Sequence, residues 1–344
     1  VSNDITSFKP IVESKFVFLL LPIVFSIGNH NNYEFKIIHF TIIFSIIAYS
    51  LYGIYNGFTC YFKSELGDPY YGTFYCFTRG VLSPFTHPTY DSAYTFLGVL
   101  STLILLKKRI LNRYLSVFIL LFLSIKIILL FSFSGVLFYF GFILFLFFWY
   151  LQKRWNKLTS ITIIAFSFLG LILIFNNIPA LKRDVNETKN ASISYISNPN
   201  EFIKRNKKNP SGTVTRIIMW KISFDLIKEK PLGYGVGDVM KITNTKLKEY
   251  GHEEMIKHNL NSHNQYLQMG LELGVLPMLF FMGWGLYLLI KSWREENYFL
   301  FFILLNLLFN CLFESMLQRQ SGIVFYTFFI CLFLQWNDKK NQFI

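Results

Sequence analysis

Residues 114–151, YLSVFILLFLSIKIILLFSFSGVLFYFGFILFLFFWYL, contain one charged side chain, Lys126. The stretch has no polar stripe at helical spacing, so it reads as helix that is apolar all round. It divides near 131–134 into blocks 114–131 and 136–151. Each approaches the ~20 residues needed to cross ~30 Å of hydrocarbon. A backbone in lipid must satisfy its own hydrogen bonds, so both blocks predict transmembrane helices.

The same pattern recurs on both sides, at 35–55, 94–106, 158–175, 266–290, 298–313 and 322–336. Block 16–27 is shorter and contains Pro22, which suits a broken or re-entrant span. A chain of 344 residues that is 53% hydrophobic, with 40 Phe, has more apolar surface than one soluble core can hide. The expected fold is all-α, a polytopic transmembrane helical bundle of eight or nine spans. Val1 is not an initiator Met, and 1–15 is polar without a signal-peptide pattern, so earlier spans are expected to precede it.

The net charge of +13 raises nucleic acid as a partner, but no basic stripe lies on a reading module, so none is expected. The cations instead gather in alternate connections: Lys107, Lys108, Arg109 and Arg113; Lys153, Arg154 and Lys157; Lys291 and Arg294; Lys339 and Lys340. The intervening 131–134 has no charge and 315–320 only Arg319. The basic side is therefore read as cytoplasmic. Segments 58–86 and 179–262 then face out, and the second exceeds the ~60 residues to which the charge rule applies. Three regions result: N-terminal spans (1–178), a long, partly helical periplasmic loop (179–262), and C-terminal spans with a cytoplasmic tail (263–344). Cys60 and Cys76 share the first outer segment, where an oxidising compartment permits a disulfide. Cys311 and Cys331 read as small apolar residues within spans.

Asn261-Ser262-His263-Asn264-Gln265-Tyr266-Leu267 closes the long loop. Ser262 and Gln265 form a capping-box pattern, which predicts a helix with His263 in its first turn. Such an end suits an anionic phosphate and disfavours imidazolium, leaving His263 able to accept a proton. The alternative is a histidine that merely caps a span. Residues 213–230 predict a helix with Arg216 and Trp220 on one face. Arg216 is either a bidentate phosphate clamp or an interfacial anchor. Gly233-Tyr234-Gly235-Val236-Gly237 follows no strand and lacks nucleotide-loop spacing, so it reads as a flexible turn. After it, 238–250 predicts a short helix, then a mobile stretch leading to His263. His252-Glu253 is not a zinc motif, because Ile256 stands where a second histidine belongs, and no metal or other cofactor is expected. Asp91, Lys126, Glu272, Glu314 and Arg319 lie in or beside spans, as functional groups or as interhelical ion pairs.

The order Arg216-x-x-x-Trp220, Pro231-Leu232-Gly233-Tyr234-Gly235-Val236-Gly237, His263-Asn264-Gln265-Tyr266-Leu267 and Glu272-Leu273-Gly274 resembles the O-antigen ligase and polymerase superfamily. His87-Pro88-Thr89-Tyr90 and Glu314-Ser315-Met316-Leu317-Gln318-Arg319-Gln320-Ser321-Gly322 are similar to flanking motifs of its Bacteroidetes-type members. The resemblance implies a C-type glycosyltransferase-like enzyme of the bacterial inner membrane, inverting and metal-independent, with a periplasmic active site. Its donor is a glycan on undecaprenyl diphosphate. Its acceptor is a lipid A-core sugar hydroxyl for a ligase, or a second lipid-linked repeat for a polymerase. In this reading His263 is the base or the residue that orients the acceptor, and Arg216 the diphosphate clamp, with Arg79 a second candidate. Trp220, Asn264, Tyr266, Glu314 and Arg319 are expected to bind substrate. One departure is Ser132-Phe133-Ser134-Gly135, where Phe133 stands in place of the family's cation. Lys126, roughly 10 Å away along a helix, is the expected substitute. A transporter of lipid-linked glycans is the alternative of another class. It predicts duplicated halves, which the hydropathy does not display.

Overall fold

The computed structural model describes residues 13–27, 35–63, 73–153, 156, 159, 162, 179–205 and 212–335. Among them all regular structure is helical. In chain order the longer helices are α1 (Val17–Ile27), α2 (Phe35–Lys63), α3 (Pro88–Lys107), α4 (Arg113–Leu129), α5 (Phe133–Gln152), α6 (Pro179–Ser197), α7 (Pro199–Arg205), α8 (Gly212–Glu229), α9 (Val239–Glu249), α10 (Gln265–Leu273), α11 (Val275–Arg294), α12 (Tyr298–Asn310) and α13 (Gln320–Gln335). Four of these contain segments long and apolar enough to cross a membrane: Lys36–Lys63, Pro88–Lys107, Phe133–Gln152 and Val275–Arg294. α4, with 17 residues, and the shorter apolar α12 and α13 pack beside them.

α3 is the axis of the bundle. It is buried on nearly every side, its polar Asp91, Ser92, Thr95, Ser101 and Thr102 included. α2, α4, α5 and α12 pack around it. By contrast, α4 exposes Phe118, Leu121 and Ile125, and α11 exposes Leu279, Phe280 and Trp284. Apolar faces of this size suit lipid rather than water.

The helices share two ends. Ser132, which caps α5, donates to Thr89 at the start of α3 over 3.1 Å, so both helices begin at one end. α12 returns there, where the Cys311 carbonyl accepts the Gln265 N–H at 2.8 Å. His39 near the start of α2 meets Ser101 near the finish of α3, at 3.1 Å, so α2 runs antiparallel to α3. The basic connections 107–113 and 291–294 lie at the opposite end from Thr89 and Gln265.

The segment 179–262 is more than a loop. Ile218, Met219, Ile222 and Leu226 of α8 form a second buried core with Phe202 and Ile203 of α7, Leu247 of α9 and Leu271 of α10. α8 and α9 match the helices expected at 213–230 and 238–250. The stretch before His263, expected to be mobile, is packed: His252, Met255 and Ser262 are buried.

Three further expectations change. The span expected at 266–290 is two helices, α10 and α11, separated at Gly274 with φ +96°. The glycine turn expected to be flexible is pinned into this break. Tyr234 and Gly235 donate backbone N–H bonds to the Leu271 and Glu272 carbonyls, and Val275 donates to Pro231. α2 continues past residue 55 to Lys63, so Cys60 is helical, and it forms a disulfide with Cys76. The span expected at 158–175 falls almost wholly outside the described residues, as do 1–12 and the tail from 336.

Candidate functional site

His263 precedes α10 rather than occupying its first turn. The cap is Asn264, whose side chain accepts the Leu267 N–H at 3.0 Å. Ser262, expected to cap, is buried instead, and its N–H and Oγ both donate to Gln268 Oε1, at 3.0 and 2.9 Å. Ser223 of α8 donates to the Ser262 hydroxyl at 2.9 Å. The capping-box spacing was present, but α8 claims the serine and Asn264, two positions on, takes the cap.

This packing holds His263 in the left-handed region, at φ +45°. A non-glycine residue there is uncommon, and such strain persists only where neighbours over-determine it. Here Asn261 Oδ1 accepts the His263 N–H at 2.9 Å, and the Trp220 indole donates to the His263 carbonyl at 3.3 Å. The ring then faces the turn after α12, where Nδ1 lies 3.3 Å from Glu314 Oε2.

Glu314 is the hub. Its Oε2 is also 3.9 Å from Arg216 Nη2, one helical turn before Trp220 on α8. Burial alone would raise the Glu314 pKa. The hydrogen bond and charge of His263, with His87 and Arg216 nearby, outweigh it and hold the carboxyl below its usual range. Arg216 keeps Nε buried without a hydrogen-bond partner. The exposed Arg319 is near enough to act on His87, as are Arg216, His263 and Glu314. Arg216, Trp220, His263 and Glu314 therefore meet where the helical subdomain joins the bundle, with His87 and Arg319 within electrostatic reach.

His87 is the neighbour of this cluster that sequence reading did not place there. Its sequence signal was the His-Pro pair opening a span: Nδ1 caps α3 by accepting the Thr89 N–H at 3.4 Å. Surrounding protein lowers its pKa. Glu314 opposes that shift, while Arg216, Arg319 and His263 add to it.

The other expected residues are used differently. Lys126 is buried in an ion pair with Asp91 at 2.7 Å, with its ammonium 4.7 Å from the centre of the Tyr49 ring. It is thus no free replacement cation, and removing either partner would strand a buried charge. Phe133, in the cation's place, stacks edge-on against Phe313. Asn264 spends Nδ2 on the Leu312 carbonyl, and Tyr266 gives its hydroxyl to the Leu308 carbonyl. Both fasten α10 to α12. Arg79 is exposed at the start of a one-turn helix. Glu272 is buried and receives Lys15, Gln268 and Gln318 at 2.8–2.9 Å. Through Gln268 it steadies Ser262, next to the candidate base.

These features define a helical membrane protein with a cationic cluster at one end of its bundle, built around a histidine–carboxylate pair. Residues 117–282 match the family model described as O-antigen ligase, and this match supports the O-antigen ligase superfamily, whose members are membrane glycosyltransferase-like ligases and polymerases. No curated protein matches the chain. The matched region holds Arg216, Trp220 and His263, whereas His87, Glu314 and Arg319 flank it.

Proposed function

We propose that the chain transfers a glycan from undecaprenyl diphosphate to a sugar hydroxyl of the lipid A core, at the periplasmic face of the inner membrane. The observation that carries this reading is the contact of His263 Nδ1 with Glu314, beside Arg216. In a neutral ring, the nitrogen facing a carboxylate carries the proton, so Nε2 keeps its lone pair. Nε2 takes the proton of the acceptor hydroxyl as its oxygen attacks the anomeric carbon from the face opposite the diphosphate. The bond from that carbon to the diphosphate oxygen breaks, and the diphosphate leaves with the electron pair. One displacement inverts the anomeric centre.

A diphosphate leaving group needs positive charge more than it needs a proton. Arg216 and Arg319 supply two cations against the single carboxylate of Glu314, and Arg216 Nε has hydrogen-bonding capacity to spare. Charge supports this side of the membrane: the cluster lies opposite the basic connections, and the positive-inside rule favours the cytoplasm for those.

The test is reconstitution with a defined undecaprenyl-diphosphate glycan and two acceptors. Product on the lipid A core supports the ligase, a longer lipid-linked chain would make the protein a polymerase, and movement without a new bond would make it a transporter. His263→Ala and Arg216→Ala are each expected to lower transfer by about 10²-fold or more in protein that still folds into the membrane. Wild-type rates in either variant would remove that residue from the mechanism.

A further inference from the structure

We infer that His87 is a second functional histidine, donating a hydrogen bond from Nε2 to the diphosphate group that Arg216 and Arg319 attract. The inference rests on the glycosyl-transfer reading above and adds a catalytic residue to it.

The geometry gives the two histidines opposite hydrogen-bonding roles. Nδ1 of His263 faces a carboxylate, which makes that nitrogen the donor and leaves Nε2 an acceptor. Nδ1 of His87 accepts a backbone N–H from Thr89, which makes that nitrogen the acceptor and places the proton of a neutral ring on Nε2. Among the described residues Nε2 of His87 has no hydrogen-bond partner, and His87 is exposed. Tyr90, three residues on, donates to the Ser315 carbonyl at 3.3 Å, which sets the start of α3 beside Glu314. The lowered pKa of His87 agrees with a neutral donor. A neutral donor suits this position: it adds a hydrogen bond to an anion without adding a third positive charge beside Arg216 and Arg319. Because His87 caps the buried axial helix, its ring is held in place before substrate arrives.

Two substitutions separate the cap from the donor. His87→Asn keeps a side-chain acceptor for the Thr89 N–H, since asparagine is among the best helix caps, but withdraws the donor at Nε2. His87→Gln places an amide N–H near the Nε2 position and weakens the cap. Binding of farnesyl diphosphate to the purified full chain, with farnesol as the uncharged control, reads the site without turnover. His87→Asn is expected to bind farnesyl diphosphate about tenfold or more weakly, as one hydrogen bond to a charged group implies, with an unchanged thermal midpoint. His87→Gln is expected to recover most of that loss. Wild-type binding by His87→Asn, or no recovery in folded His87→Gln, overturns the assignment while leaving the functional reading intact, provided Arg216→Ala still weakens binding. If wild-type protein shows no Arg216-dependent preference for farnesyl diphosphate over farnesol, the functional reading fails and this inference with it.

Discussion

Glu314 shows how one side chain organises the cluster. Alone in its buried turn, the carboxyl would be pushed towards its neutral form. His263, His87 and Arg216 together keep it ionised. Its folded pKa is depressed below the ordinary 4.5, so the stability it contributes is present above that value. That contribution is lost as pH falls through the depressed value. Glu314→Gln should therefore lower the thermal midpoint at neutral pH, with the gap from wild type closing only below about pH 4.5. A gap that stays constant to pH 3 would rule out the ionised carboxylate as its source. The same variant should lose transfer activity by about 10-fold to 10²-fold, because His263 loses the partner that orients its ring.

At the scale of elements, the junction of α10 and α11 decides whether His263 is presented correctly. Gly274 sits at φ +96°, and a Cβ there would come within 2.8 Å of the Pro231 and Leu232 carbonyl oxygens. Gly233, at φ +82°, approaches Gly274 from the opposite side, with 2.6 Å between a built Cβ and the Gly274 nitrogen. Two glycines let the turn after α8 dock into the break between two helices, and this couples Arg216 on α8 to His263 before α10. Gly274→Ala should cost about 1–3 kcal/mol from backbone strain alone, with further loss from the close contacts. Thermal unfolding in detergent would measure it, and an unchanged midpoint would show that the junction is not rigid.

For the whole molecule, sidedness joins fold to function. The Cys60–Cys76 disulfide lies towards the cluster end of the bundle, since α2 reaches that end and Leu82 packs against Gly53. An oxidising compartment on that side would favour it. In intact inner-membrane vesicles of known orientation, a membrane-impermeant maleimide should label two more cysteines after reduction than before, from the periplasmic side only. Labelling from the cytoplasmic side would invert the topology and with it the proposed location of the active site.

Residue patterns and tertiary contacts divided the work. Continuous apolar blocks such as 114–131 and 136–151 announced helices because lipid leaves the backbone no other way to pair its polar groups. The order of Arg216, Trp220 and His263 announced the family, and the spacing of Arg216 and Trp220 placed both on one helix face. Local spacing could not say which side chain would win a contested partner. Ser262 had the spacing of a cap and went to Ser223 and Gln268; Lys126, open to a substrate role or an interhelical ion pair, went to Asp91. Nor could it bring Glu314, 51 positions away, to His263, or reveal that His87 joins them. Those meetings depend on α3, α8, α10 and the turn after α12 arriving at one end of the bundle. The sequence by itself therefore determined the helices and the family, since both rest on local composition and ordered motifs. Only the tertiary structure decided the site, because burial and charge pairing across distant segments determine which polar groups remain available to a substrate.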